Sequence, residues 1–189
     1  MIGIRERGKM AVGLFILSEI NFFLLLIVAY VYYHAYPGLG PTAATALNPM
    51  RTGIFSLALF SSSATIMMAS RAGRRGNSGG LIMWLSVTIA LGLLFMFGQA
   101  REYYDLITSG VTVSRNLFAT TFFTLTGFHG LHVIVGLVAL CVTLGLARAS
   151  KLHEQKMDGF GAVEWYWHFV DGVWVVVFSV VYLWGAVAS

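Results

Sequence analysis

Cysteine is all but missing from this chain, proline nearly so, and charge is scarce. Cys141 is the single cysteine and lies within a hydrophobic run, so no intrachain disulfide or thiolate metal cluster is available. Only 11% of the 189 residues are charged, whereas 58% are hydrophobic and the mean hydropathy is +0.78. A soluble domain of this composition would expose large apolar patches and aggregate. The chain is therefore read as an integral membrane protein. It has no internal repeat, low-complexity tract, phosphate loop, nucleophile elbow or catalytically spaced carboxylate pair. The residues alone thus offer no catalytic centre and no reason to expect nucleic acid as a partner.

What the chain does have is long apolar segments. A span needs about 20 mainly apolar residues, and five segments qualify, at about 10–33, 54–70, 81–98, 117–147 and 165–187. The first is long enough to span and lacks a small-residue cleavage site, so it is expected to be a span and not a secretory signal. Prolines and glycines punctuate the first connector, and RAGRRGNSGG (71–80) forms the second. The amphipathic REYYDLITSGVTVSR (101–115) is expected to prolong the third helix for some turns. The expectation is an all-α bundle of five transmembrane helices, forming a single transmembrane domain over 1–189.

Arg5, Arg7, Lys9, Arg71, Arg74, Arg75, Arg148, Lys151 and Lys156 fall on one side of such a topology, and Arg51, Arg101 and Arg115 on the other. Nine against three puts the N-terminus in the cytoplasm and the C-terminus outside. The net charge of +4 then reflects insertion and anionic lipid heads.

Several polar residues stand where lipid should be. Glu19 is the tenth residue of its span, about 14 Å in and close to the midplane of the hydrocarbon core. An acid there is costly and should face protein or water. Its readings are a proton-relay or partner-contact residue, or a carboxyl bonded to Asn21 or another span. His129 and His132 in TGFHGLHVIVG are one helical turn apart, with Gly127, Gly130 and Gly136 allowing close helix approach. Metal or haem ligation by this pair would need a further ligand, and His34 and His168 are expected at other depths. Interhelical hydrogen bonding is the favoured alternative. Gln99, Arg101, Glu102 and Asp105 cluster at the outer end of the third span, with Tyr103 and Tyr104 at belt depth. They suit a lipid phosphate, a partner subunit or head-group anchoring. Ser61, Ser62 and Ser63 suit tight helix contact or hydrogen bonding back to the backbone, and Met67, Met68, Met83 and Met96 are expected to pack. In EWYWHFVDGVWVVVFSVVYLW (164–184), His168 and Asp171 share one helix face.

Taken together, LFILSEINFF, FGQAREYYD, FATTFFTLTGFHGLHVIVGL and EWYWHFVDGVWVVVF occur in the order seen in subunit III of haem-copper terminal oxidases. The chain resembles that family from about Gly13 to Gly185. The resemblance implies a non-redox accessory subunit of cytochrome c oxidase, docked beside catalytic subunit I with subunit II in the same complex. It implies no catalytic residue, cofactor or metal in this chain, with haem and copper in the partner subunits. Phospholipid binding, support of proton uptake and protection of the catalytic subunit are further implied roles. Glu19 matches the family's intramembrane glutamate, His129 and His132 its paired histidines, and His168 with Asp171 its tryptophan-flanked block. Gln99 and Glu102 fall on the polar end of the corresponding helix, so all of these are expected packing, lipid or partner contacts. His168 and Asp171 are expected to form a hydrogen-bonded unit with a neighbouring helix, near His129 or His132.

The chain departs from the longer members by starting at what would be their third helix. The resemblance then implies that two helices forming a wall of the family's lipid cleft are absent. ASR (69–71) replaces a His pair, and TGIF (52–55) an Asn-Thr. Five-helix members are common in bacteria, implying a bacterial plasma membrane. Rival readings are a subunit of a quinol oxidase or nitric oxide reductase, a small transporter or proton channel built on Glu19, and a membrane haem protein using His129.

Overall fold

The computed structural model describes residues 4–34, 41–149 and 157–185. Helix α1 runs Ile4–His34, a four-residue α2 Ala43–Ala46, α3 Pro49–Arg74, α4 Ser78–Thr108, α5 Leu117–Arg148 and α6 Met157–Phe178. Helix α6 passes directly into a π-helical segment, Ser179–Trp184. Five helices are long and apolar enough to cross a membrane: Met10–His34, Pro49–Arg74, Ser78–Thr108, Leu117–Arg148 and Gly159–Trp184. Lys151 and Lys156 lie outside the described residues.

Three asparagines decide where the central helices start. The side chains of Asn48, Asn77 and Asn116 accept from the backbone N–H of Arg51, Gly80 and Ala119 at 2.9–3.0 Å. Each thereby satisfies one of the donors left over at a helix N-terminus. Pro49 follows its cap at the first helical position, where its missing N–H costs nothing. The turns after α3 and α4 are closed by Gly76 (φ 70°) and Gly110 (φ 80°), in a conformation that favours glycine. Helix α4 indeed carries the third span through REYYD to Thr108. The last span begins earlier than hydropathy indicates, at Gly159. His168 lies nine residues, about 14 Å, from the start of this segment.

Helices α3, α4, α5 and α6 form a ring in which each packs on the next and α6 closes on α3. Helix α1 lies outside the ring, in the angle between α5 and α6. Trp167 and Trp174 of α6 fill the ring and are fully buried. Trp167 fits because it is wedged between two glycines. A Cβ on Gly92 would lie 3.0 Å from its Cη2, and one on Gly136 2.7 Å from its Cε3. Gly127 and Gly130, expected to serve the same purpose, make only ordinary contacts at 3.6 and 4.0 Å. Of the four methionines expected to pack, Met96 joins the core, while Met67, Met68 and Met83 lie on the outer face.

Candidate functional site

The five acidic side chains that the structure describes, Glu19, Glu102, Asp105, Glu164 and Asp171, are each tied to another helix. Burying a carboxyl in the membrane is tolerated only with such partners. Together they form a polar framework through the bundle.

Towards the C-terminal end of α4, Glu102 is 2% exposed and collects three donors. Thr52 Oγ1 of α3 donates to Oε1 at 2.8 Å, and Tyr182 OH donates to Oε2 at 2.5 Å. Gln99 Nε2, one turn earlier on α4, donates to Oε2 at a long 3.4 Å. The π-helical segment carries Tyr182 into this site and stacks it on Phe178, with ring centroids 5.3 Å apart. Head groups therefore do not solvate the whole FGQAREYYD cluster. Glu102 and Gln99 turn inward, while Arg101 lies outside with its guanidinium 5.6 Å from the exposed Tyr104 ring. Asp105 sits between them, 2.6 Å from Arg51 Nη1 and 3.4 Å from Arg101 Nε. Tyr103 shares a 2.7 Å hydrogen bond with Thr126 of α5.

Five polar contacts, made by four serines of α3, join α3 to α6 in antiparallel order beyond that node. Trp174 Nε1 donates to Ser56 Oγ at 2.8 Å, and Trp167 Nε1 donates to Ser62 Oγ at 2.9 Å. Ser63 donates to Asp171 Oδ2 and lies 3.0 Å from His168 Nδ1. Ser70 donates to Glu164 at 2.8 Å. A serine hydroxyl has one proton. Since Ser63 gives it to Asp171, the His168 Nδ1–H donates to Ser63. His168 and Asp171 thus do form a unit with a neighbouring helix, but that helix is α3. The histidines of α5 take no part. Of the serine run expected to allow close approach, Ser62 and Ser63 make three of these contacts and Ser61 is exposed, while Ser56 and Ser70 lie outside the run.

Glu19 is bonded to neither Asn21 nor water-facing groups. Its Oε2 lies 3.0 Å from His132 Nε2, clipping α1 to α5. Asn21 instead donates to its own helix at Leu17 O. The Phe128 carbonyl, 2.7 Å from His132 Nδ1, can only accept, so Nδ1 carries a hydrogen. The Glu19–His132 contact then holds one proton, on either atom, and the pair is neutral overall in both cases. Neutrality is what the bilayer requires of it.

His129 points elsewhere. It is 1% exposed, stacked on Trp174 with centroids 4.8 Å apart, and edged by Phe23 and Phe95. Its ring nitrogens have no hydrogen-bond partner. Among the described residues, no three His, Cys, Asp or Glu side chains gather in metal-binding geometry. The serines, Thr52 and Tyr182 are the functional partners that sequence reasoning missed. The seven-residue spacing of Ser56, Ser63 and Ser70 on α3 was the available signal.

The family model described as cytochrome c oxidase subunit III matches residues 2–186. Among curated proteins, the chain is similar to a probable cytochrome c oxidase subunit 3 of Mycobacterium leprae. The two are 38% identical over 165 residues, which cover 87% of this chain and 82% of that one. It is 41% identical to cytochrome c oxidase subunit 3 of Synechocystis over 175 residues, covering 91% and 73% respectively. The platypus (Ornithorhynchus anatinus) cytochrome c oxidase subunit 3 is 38% identical over 182 residues, covering 92% and 68%.

Proposed function

The chain belongs to the cytochrome c oxidase subunit III family, and we propose that it acts as a non-catalytic scaffold in that complex. In this reading it is one transmembrane domain of a bacterial plasma membrane, with its N-terminus cytoplasmic and its C-terminus outside. It lies against catalytic subunit I, in a complex that includes subunit II, and stabilises subunit I during aerobic respiration. Haem and copper belong to those partners.

One observation carries the scaffold reading: every described acidic side chain has a partner on a different helix. Their polar atoms are spent on holding helices together. Glu19 is the clip between α1 and α5, a use that needs no proton relay. A groove of about 560 Å3 near the inner ends of α5 and α6, lined by Val142, Leu146, Phe160 and Val163 among others, supports phospholipid contact. Its apolar walls suit an acyl chain. Support of proton uptake would be indirect, through the stability of subunit I.

The test is a mild-detergent pull-down through a tagged chain, with reduced-minus-oxidised spectra before and after the chain is stripped from its partners. Haem and copper subunits in the first sample and a colourless stripped chain are the expected result. A chain that captures no partner, or that keeps haem alone, overturns the reading.

A further inference from the structure

Asn21 is a polar side chain on the lipid-facing side of its helix. It stands one residue from the middle of the span Met10–His34 and is exposed. Helix α1 turns Phe23 and Tyr30 inward, both buried, and at about 100° per residue Asn21 faces the opposite way. One N–H of its amide goes to Leu17 O at 2.9 Å, which leaves the second N–H and Oδ1 accessible and unspent among the described residues. Hydrocarbon supplies neither a donor nor an acceptor, so this side of α1 calls for another protein group.

The residues around Asn21 make a seam. Leu14, Ser18, Asn21, Leu25 and Val28 are all exposed and alternate steps of four and three residues. That is the 3.5-residue repeat of helices that wind around each other with a left-handed crossing. Ser18 keeps the seam narrow beside the amide. Its proton goes to Phe15 O at 2.7 Å, and its oxygen can still accept. Helix α1 is also the least covered span, 6% buried against 28–39% in the other four, so the seam has room for a partner helix.

The groups left over here, one amide N–H with the acceptors Asn21 Oδ1 and Ser18 Oγ, are complementary to themselves. Copies of one chain insert in one direction, so a two-fold axis along the membrane normal brings their amides to the same depth. We propose that the outward face of α1 pairs with α1 of a second copy of this chain. Each Asn21 donates its second N–H to Oδ1 of the other, and a single asparagine in such a seam fixes register and helix number. The pairing goes beyond the scaffold reading, because it joins two chains, and through them two complexes, on the side of α1 away from the ring.

The test is disulfide cross-linking in native membranes, after Cys141→Ser removes the single cysteine. Leu14→Cys, Leu25→Cys and Val28→Cys are compared with Val138→Cys on α5 and Val175→Cys on α6, positions that are also exposed. Mild oxidation should give a homodimer from the three seam positions and not from the two controls, since only residues that meet can be bridged. With Leu25→Cys as reporter, Asn21→Leu should lower the dimer yield about tenfold, because two bonds are lost and each is worth about a factor of three. Asn21→Gln keeps an amide and should recover part of the yield. If Asn21→Leu is lost from the membrane, the contrast between seam and control positions decides. Dimers from all five positions alike, no dimer, or a yield indifferent to Asn21→Leu overturns the proposal. A photo-crosslinking residue at Leu25 that captures only a different subunit, or only lipid, does the same. The scaffold reading fails separately, when the tagged wild-type chain captures no haem-bearing partner.

Discussion

Replacing Glu102 tests whether the buried node around it holds the bundle together. Glu102→Ala removes the acceptor of Thr52, Tyr182 and Gln99 in one step. Interhelical hydrogen bonds in membranes are worth about 0.6–1.7 kcal/mol each, so the two from Thr52 and Tyr182 amount to about 1–3 kcal/mol. The Gln99 bond, within α4 and 3.4 Å long, adds little. The void left by the lost carboxymethyl group, about 50 Å3, adds about 1 kcal/mol. The expected loss is therefore about 2–4 kcal/mol, a large part of a typical folding free energy. Glu102→Gln keeps the length of the side chain and one acceptor oxygen, and the hydroxyls of Thr52 and Tyr182 can rotate to accept from its amide. It should cost less than about 1 kcal/mol. Denaturant unfolding of the purified chain in mixed micelles, followed by tryptophan fluorescence, reads both, because the rings of Trp174 and Tyr182 lie 6.1 Å apart. An alanine variant within 1 kcal/mol of the parent, or a glutamine variant as weak as alanine, would refute the account.

Three other outcomes are expected. Gly136→Ala should destabilise by about 1–3 kcal/mol, because its Cβ would press on the Trp167 ring. Gly145→Ala, which meets open space, should be neutral or stabilising by up to about 1 kcal/mol; the same unfolding assay separates them. Asp171→Ala should lower the yield of the chain in the complex, by about 3–5 kcal/mol if the unit behaves as a broken buried pair. Asp171→Asn, which still accepts from Ser63, should recover most of it, and unchanged yield in the alanine variant would count against the unit. Glu19→Gln can still pair with His132, so turnover, proton pumping and inactivation rate of the complex should match the parent. A fall in pumping would restore the relay reading of Glu19.

Hydropathy was sufficient to read the five spans, because transfer into lipid depends on local composition. It misplaced their ends, because helical hydrogen bonding continues past the last apolar residue until a cap intervenes. Asn48, Asn77 and Asn116, which cap α3, α4 and α5, were not read as caps from the sequence. Rotational register was harder to read. These helices are apolar nearly all round, so no amphipathic stripe shows which residues turn inward. Arg101 and Glu102 are neighbours in sequence, yet one faces outward and the other the ring. Pairings such as Glu19 with His132, 113 residues apart, follow only from the packing. The π-helical turn that delivers Tyr182 has no glycine or proline in SVVYLW to announce it.

The seam between α3 and α6 also bears on how the chain is made. Ser56 and Trp174 are 118 residues apart, and Ser62 and Trp167 are 105 apart. At ordinary translation speeds the serines therefore enter the bilayer on the order of 10 s before their partners leave the ribosome. They are not stranded during that wait. Ser56 Oγ donates to Thr52 O at 2.8 Å and Ser62 Oγ to Leu59 O at 2.5 Å, within their own helix. Their oxygens remain able to accept, and the late-arriving indoles bring only a donor. A nascent chain halted before its last span would thus be an open ring with its serine protons already placed, and the last span would close it without breaking a bond.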